Sequence, residues 1–162
     1  SCHTHAFGLL TTCSVQRRPS RQKNFNTADV FELVSSADLA SRAADYGPTG
    51  VLLTSPPELD NDTTVAAQMM TAATVHGLVE PTDLADFAID MFDCDTLLER
   101  VPRPMSRGER QLCGLLIAFA RPFDALFAAD PTAGLDARRR RAVLELFHDL
   151  AEDRLIVSTT PI

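Results

Sequence analysis

Two short stretches of the sequence combine residue types that can bind an anion and position a water molecule. Ser106, Arg107 and Gly108 stand at the predicted start of a helix, where free backbone N–H groups and the positive end of the helix dipole attract anions. Asp130 follows a run of apolar residues, and Asp136 closes the turn after it. A carboxylate at the end of a buried strand can orient an attacking water, so the pattern is typical of phosphoryl-transfer chemistry.

Alternating strands and helices are expected to position these residues. Apolar runs and periodic patterns predict strands at 6–12, 50–54, 124–129 and 155–159, and helices at 26–46, 63–76, 82–92, 95–100, 106–120 and 136–150. Residues 15–25 are predicted to form a basic, polar loop. The alternation predicts an α/β fold with mainly parallel strand pairing. We expect one domain over residues 1–162, in which 1–62 and 105–162 form the α/β core and 63–104 a helical subdomain.

Composition and charge exclude several classes of protein. The net charge of −7 argues against a general nucleic-acid surface, which needs clustered positive charge. The longest apolar run, Cys113–Ala120, is too short to span a membrane. The four cysteines form no CxxC pair, so no metal site is expected and a reducing cytosol is indicated. The four arginines 138–141 are expected to form a solvated helix face, because the chain is acidic.

Four segments together resemble the nucleotide-binding domain of ATP-binding-cassette (ABC) proteins. MSRGERQLC (105–113) is similar to the family signature, and ALFAADPTAGLD (125–136) to the Walker B strand and D-loop. LIVSTTPI (155–162) is similar to the strand that ends in the switch histidine, and VLLTSPPELDNDTTVAAQM (51–69) to the Q-loop region. The resemblance covers residues 50–162 and follows the family's order. It implies a P-loop-NTPase-like ABC ATPase core with a mainly parallel sheet and a helical subdomain.

Some of the family's nucleotide-binding residues are retained at matching positions in this sequence. Ser106 and Gly108 stand at the signature serine and second glycine, whereas Arg107 replaces the first glycine. In the family, the signature closes over ATP that a second domain holds. The resemblance therefore implies nucleotide contact in trans by Ser106, Arg107 and Gly108. Asp136 stands at the D-loop aspartate. The structural alternatives are a helix cap at Ser106 and at Asp136.

The family's catalytic residues are replaced. Ala129 stands at the magnesium-binding Walker B aspartate and Asp130 at the catalytic glutamate. Ser55 stands at the Q-loop glutamine and Thr160 at the switch histidine. Residues 6–16 (AFGLLTTCSVQ) stand where the family would place its P-loop. A P-loop needs G-x-x-x-x-G-K-[ST], and Lys23 is the only lysine, with no glycine near it.

These departures predict a degenerate ABC-type domain that is not an autonomous ATPase. We expect it to pair with an intact ABC ATPase domain, as a homo- or heterodimer, or with a membrane permease. One alternative is an ATP-binding transporter subunit with residual ATP binding or hydrolysis, and another is an interaction module outside transport. The resemblance implies ATP and Mg²⁺ as cofactors, but the replacements leave open whether this chain binds either. It further implies a cytoplasmic protein, or one peripheral on the inner face of the cell membrane.

Overall fold

The computed structural model describes residues 11–16 and 36–161. In chain order the elements are β1 (Thr11–Gln16), α1 (Ser36–Tyr46), β2 (Gly50–Leu53), α2 (Val65–Val75), α3 (Asp83–Phe92), a 3₁₀ turn (Asp95–Leu97), α4 (Arg107–Phe119), β3 (Ala125–Ala129), α5 (Ala137–Leu150) and β4 (Leu155–Pro161). Strands and helices alternate except between β2 and α4, where only helices occur. We call residues 63–104 the helical segment.

The four described strands form one sheet in the order β1-β4-β3-β2. β2 is parallel to β3, and β3 is parallel to β4, which confirms the predicted α/β fold with a mainly parallel sheet. β1 instead runs antiparallel to β4, with Thr11 opposite Pro161 and Gln16 opposite Ile156. The predicted end of the first strand at residue 12 is therefore wrong, because the pairing with β4 extends β1 to Gln16. Residues 6–10 lie outside the described residues.

Helices cover both faces of the sheet. On one face α1 packs Leu39 and Ala43 against Phe127 of β3 and Val157 of β4. On the other face α4, α5 and the helical segment form the larger core, which contains the fully buried Phe92, Phe119 and Phe147. All five residues of β3 are buried, as expected for a central parallel strand. Burying each large apolar side chain contributes about 1.5–3 kcal/mol, so this core fixes the carboxyl end of β3.

The helical segment packs against α4, and its helix α3 also contacts α5. α2 and α3 both contact α4, and the Thr82 hydroxyl at the start of α3 donates a hydrogen bond of 2.5 Å to the Phe119 carbonyl. The Thr64 side chain caps α2 by accepting from the Ala67 N–H at 3.2 Å. The short helix predicted at 95–100 forms as a 3₁₀ helix, and it ends at Leu97 rather than at residue 100. The predicted helix 26–46 is described only as α1, and residues 26–35 lie outside the described residues.

Candidate functional site

The carboxyl ends of β2, β3 and β4 lie at one edge of the sheet, because these three strands are parallel. Asp130 directly follows β3, and Ser55 follows β2 two residues after it ends. Thr160 lies within β4, opposite Thr12 of β1. The predicted end of this strand at residue 159 is wrong, since the antiparallel pairing with β1 extends β4 through Pro161. Three of the predicted site positions therefore share this edge.

Asp130 is held in a strained turn at the end of β3. Its φ of 42° lies in the left-handed region, which aspartate tolerates better than most residues. Its backbone N–H donates to the Thr159 carbonyl at 2.8 Å, and its carbonyl accepts from the Ala133 N–H at 3.1 Å. Burial raises the pKa of the Asp130 carboxyl, whereas the positive charges of Arg107 and Arg140 act to lower it. The half-buried carboxyl thus lies near two guanidinium groups.

Ser106 is the N-cap of α4 and forms a capping box with Glu109. The Ser106 hydroxyl accepts from the Glu109 N–H at 3.2 Å, and the Glu109 carboxylate accepts from the Ser106 N–H at 3.1 Å. Arg100 donates to the second Glu109 oxygen at 2.6 Å. These contacts hold the pKa of Glu109 below its usual range, with the hydrogen bond from the Ser106 backbone as the largest cause. A hydroxyl that accepts in a cap keeps its own hydrogen, so Ser106 can still donate to a ligand.

Gly108 lets the start of α4 approach the turn after β3. A Cβ atom at Gly108 would lie 2.5 Å from the Gly134 carbonyl oxygen, and one at Gly134 would lie 3.2 Å from Cγ of Arg107. Gly134 has a φ of 74°, which strains any residue with a side chain. The Ser106 turn (Ser106–Gly108) therefore packs directly on the Asp130 turn (Asp130–Asp136). Arg107 lies across this junction and remains exposed to solvent.

Asp136 ends the Asp130 turn and caps α5. Its carboxylate accepts from the Arg139 N–H at 2.9 Å, and this backbone hydrogen bond is the largest cause that lowers the pKa of Asp136. Thr132 and Leu135 are buried within the turn, and the Leu135 N–H donates to the Thr132 carbonyl at 3.2 Å. The structure therefore confirms the cap role predicted for Asp136 as one of its alternatives.

Five of the predicted site residues lie in the two turns, whereas Ser55 and Thr160 lie outside them. Arg107 and Gly108 lie against Gly134 of the Asp130 turn, and the Arg107 charge acts on the Asp130 carboxyl. Ser55 is half-buried, and no hydrogen bond among the described residues joins it to either turn. The two turns offer a hydroxyl, the N-terminus of α4 and an exposed guanidinium on one side of a carboxylate. This combination suits an anionic ligand such as a phosphate.

Comparison with known proteins gives the same picture of the fold. The sequence matches no established protein-family profile. A chain described as "Structure of ATP binding subunit of ABC transporter" superposes with a TM-score of 0.58 at 22% identity, over 65% of this chain and 45% of that chain. A dimeric ATP-binding cassette in a post-hydrolysis state, bound to ADP and phosphate, superposes with a TM-score of 0.53 at 16% identity, over 66% of this chain and 49% of that chain.

The chain has the fold of an ABC transporter ATP-binding domain. In sequence it is 32% identical over 98 residues to a protein of Sinorhizobium fredii named "Probable peptide ABC transporter ATP-binding protein". This match covers 57% of the chain and 29% of that relative. The chain thus spans less than a third of the length of the curated relative and about half of each solved structure.

The residues at the end of β3 offer a metal ion a single carboxylate, that of Asp130. Mg²⁺ prefers carboxylate and water oxygens, but the buried Ala129 contributes only a methyl group there. Asp130, the residue that directly follows β3, is acidic, and its carboxyl group lies near the guanidinium groups of Arg107 and Arg140. Within residues 36–161, no group of three or more His, Cys, Asp or Glu side chains is placed to hold a metal ion.

Two contacts around this site were missed by the sequence analysis. The first is the contact of Glu109 with Ser106, although the spacing Ser106-x-x-Glu109 is itself the pattern of a capping box. Arg139 was expected on a solvated face, but its guanidinium donates to the carbonyls of Phe92 and Asp93. No sequence signal marks this second contact, because it joins residues far apart in the chain.

Proposed function

We propose that this chain is a degenerate ABC-type nucleotide-binding domain that completes the ATP site of a second ATP-binding domain and is not an autonomous ATPase. The observation that carries the proposal is the Ser106 turn. It keeps an exposed hydroxyl and an exposed arginine at the N-terminus of a 13-residue helix, fixed against the Asp130 turn. Such a surface can close over a phosphate that another domain holds.

The replaced residues argue against hydrolysis by these residues alone. Phosphoryl transfer needs a phosphate cradle, charge neutralisation by a metal, and an oriented nucleophile. Residues 1–162 contain no G-x-x-x-x-G-K-[ST] sequence, so a P-loop would have to come from outside them. Ala129 offers no metal ligand. Asp130 is shorter than the glutamate that it replaces, and we assign it no catalytic role in this chain.

A membrane permease is the second partner that we propose, with the helical segment as a subdomain that docks onto it. Four apolar side chains of this segment face solvent, and Val79 and Val75 are 91% and 74% exposed. The other two are Met70 and Phe87. Among the described helices, none is both long and apolar enough to cross a bilayer. We propose that the exposed apolar side chains contact the permease at the inner face of the membrane, where the ABC resemblance places such docking.

A reconstitution experiment tests the role in trans. The chain is mixed with intact ABC ATPase subunits of the source cell, and ATP affinity and hydrolysis are measured with and without it. We expect one subunit to gain several-fold in ATP affinity or rate. Arg107→Gln should remove this gain because the guanidinium no longer reaches phosphate, whereas the exposed Arg141→Gln should keep it. A lack of response from every subunit would exclude the role.

Calorimetry with ATP on the isolated chain separates this proposal from a working ATP-binding subunit. We expect no binding heat with ATP alone or with MgATP. Micromolar binding strengthened by Mg²⁺ would favour the alternative of residual ATP binding or hydrolysis. An interaction module outside transport would instead neither bind ATP nor respond to an ABC partner.

A further inference from the structure

Arginines occupy the end of α5 where positive charge is least favourable for that helix. Residues 138–141 are all arginine in its first turns, and the first turn holds no acidic residue. The N-terminus of a helix carries partial positive charge, so these side chains oppose the dipole of their own helix. The C-terminal end of α3, in contrast, lacks the positive charge that would be favourable there. Its last turn holds no basic residue, and of its last four carbonyl groups those of Asp90 and Ile89 accept from the Asp93 and Cys94 N–H groups, each at 3.2 Å.

Arg139 brings these two helix ends together. Its Nε donates to the Phe92 carbonyl at 3.1 Å, and its Nη2 donates to the Asp93 carbonyl at 3.0 Å. Arg138 adds a charge contact, with Nη1 lying 3.7 Å from a carboxylate oxygen of Asp93. The positive charge that is unfavourable for α5 thus lies at the negative end of α3, where it is favourable.

The same arginine is held on its other side by the Asp130 turn. The Asp136 carboxylate accepts from the Arg139 backbone N–H at 2.9 Å, and its second oxygen lies 3.8 Å from Nη1 of Arg139. One guanidinium therefore lies between the last residue of the turn and the last carbonyls of α3. Its planar donor groups form two hydrogen bonds in a fixed geometry, which a lysine could not reproduce.

We propose that Arg139 is a positioning residue that couples the helical segment to the Asp130 turn, so that a displacement of α3 is transmitted to Asp136. α3 and α5 are in contact, and Asp93, the C-cap residue that follows α3, has a left-handed φ of 53°. The coupling goes beyond the proposed function, because it needs neither nucleotide nor partner. It gives the chain a route between the surface of the helical segment and the turn that packs on Ser106–Gly108.

Hydrogen exchange of the full chain, followed by mass spectrometry, tests this coupling. Thr82→Ala removes the hydrogen bond to the Phe119 carbonyl at the opposite end of α3 and so loosens that helix away from Arg139. In the wild-type background we expect exchange to accelerate several-fold both in α3 and in residues 130–136. In an Arg139→Met background the α3 response should remain, and the response of residues 130–136 should be lost.

Two further variants keep the test decisive. Arg141→Met removes a neighbouring exposed arginine and should transmit the Thr82→Ala effect as the wild-type chain does. Arg139→Lys keeps the charge without the two-pronged geometry, and it replaces Arg139→Met if that variant fails to show native helix content. We expect it to transmit at most a small part of the effect. The proposal is overturned if residues 130–136 respond equally in the Arg139 variants, or do not respond in the wild-type background.

Discussion

Gly108 approaches Gly134 so closely that a side chain at Gly108 would collide with the Gly134 backbone. A Cβ atom at Gly108 would stand 2.5 Å from the Gly134 carbonyl oxygen, and one at Gly134 would stand 3.0 Å from the Gly108 nitrogen. The contact joins the first turn of α4 to the turn after β3, which lie far apart in sequence. The geometry of the Ser106 turn therefore depends on the Asp130 turn.

Gly108→Ala is expected to destabilise the fold by about 1–3 kcal/mol, because the added methyl group would meet backbone atoms that can move only with the whole turn. Whether Gly108→Ala lowers or raises the free energy of unfolding shows whether the two turns are in contact. In a helix that is free of close contacts, Gly→Ala stabilises by about 0.5–1 kcal/mol. Urea denaturation measures the difference, and a stabilised Gly108→Ala variant would show that the two turns do not touch.

Ser106 variants are expected to separate the cap from the proposed contact with phosphate. Ser106→Ala should cost about 1 kcal/mol of stability, because the Glu109 N–H loses its acceptor. Ser106→Asp should retain the cap and hence most of the stability. Its negative charge would still repel a phosphate, so it should remove the gain in ATP affinity of a responding partner.

Thr64→Ala is the matched control for the Ser106 variants, since it removes a cap of the same kind from α2. It should cost similar stability and leave the effect on a partner intact. If Ser106→Asp supported a partner as well as wild type does, Ser106 would be a structural cap and no more.

Much of the fold could be predicted from local pattern. The apolar run at 124–129 predicted β3 to within one residue, and the cap residues Ser106 and Asp136 located the starts of α4 and α5. These features depend on neighbours in the sequence, where periodicity and capping chemistry are directly readable.

Contacts between distant residues could not be predicted in this way. The antiparallel pairing of β1 with β4, which carries Thr160 into the sheet, depends on two segments at opposite ends of the chain. The contact of Arg139 with the end of α3 depends on how two helices pack. A run of four arginines in an acidic chain predicts a solvated surface for all four. Only the packing of α5 on α3 shows that Arg139 donates hydrogen bonds to the end of α3.

Asp130→Asn and Asp136→Asn are expected to change stability in opposite directions at neutral pH. Burial raises the pKa of Asp130 in the folded chain, so its ionisation opposes folding as the pH rises from its unfolded pKa to its folded pKa. Asp130→Asn should therefore stabilise at pH 7, with a gain that disappears in acid. Asparagine also tolerates the left-handed backbone at this position.

The pKa of Asp136 is lowered, so the sign is reversed for this residue. Its stabilising contribution is present above its unfolded pKa and is lost as the pH falls through its folded pKa. Asp136→Asn should therefore destabilise at pH 7, and its stability should converge on that of the wild-type chain in acid. Urea denaturation at a series of pH values from neutral to acid measures both differences. Parallel pH profiles for the two variants would contradict the assigned environments.

The thiols of Cys94 and Cys113 are expected to be unreactive in the folded chain. Burial raises the pKa of Cys94 to about 11 and that of Cys113 to about 12, so neither thiolate is populated at neutral pH. In a Cys2→Ser, Cys13→Ser background, alkylation by iodoacetamide should proceed only as fast as the chain unfolds. Phe87→Cys, at a site that is 55% exposed, is the reactive control and should label at once. Labelling of Cys113 at the rate of this control would mean that the core beneath Met105, whose sulfur lies 3.5 Å from the Cys113 sulfur, opens without global unfolding.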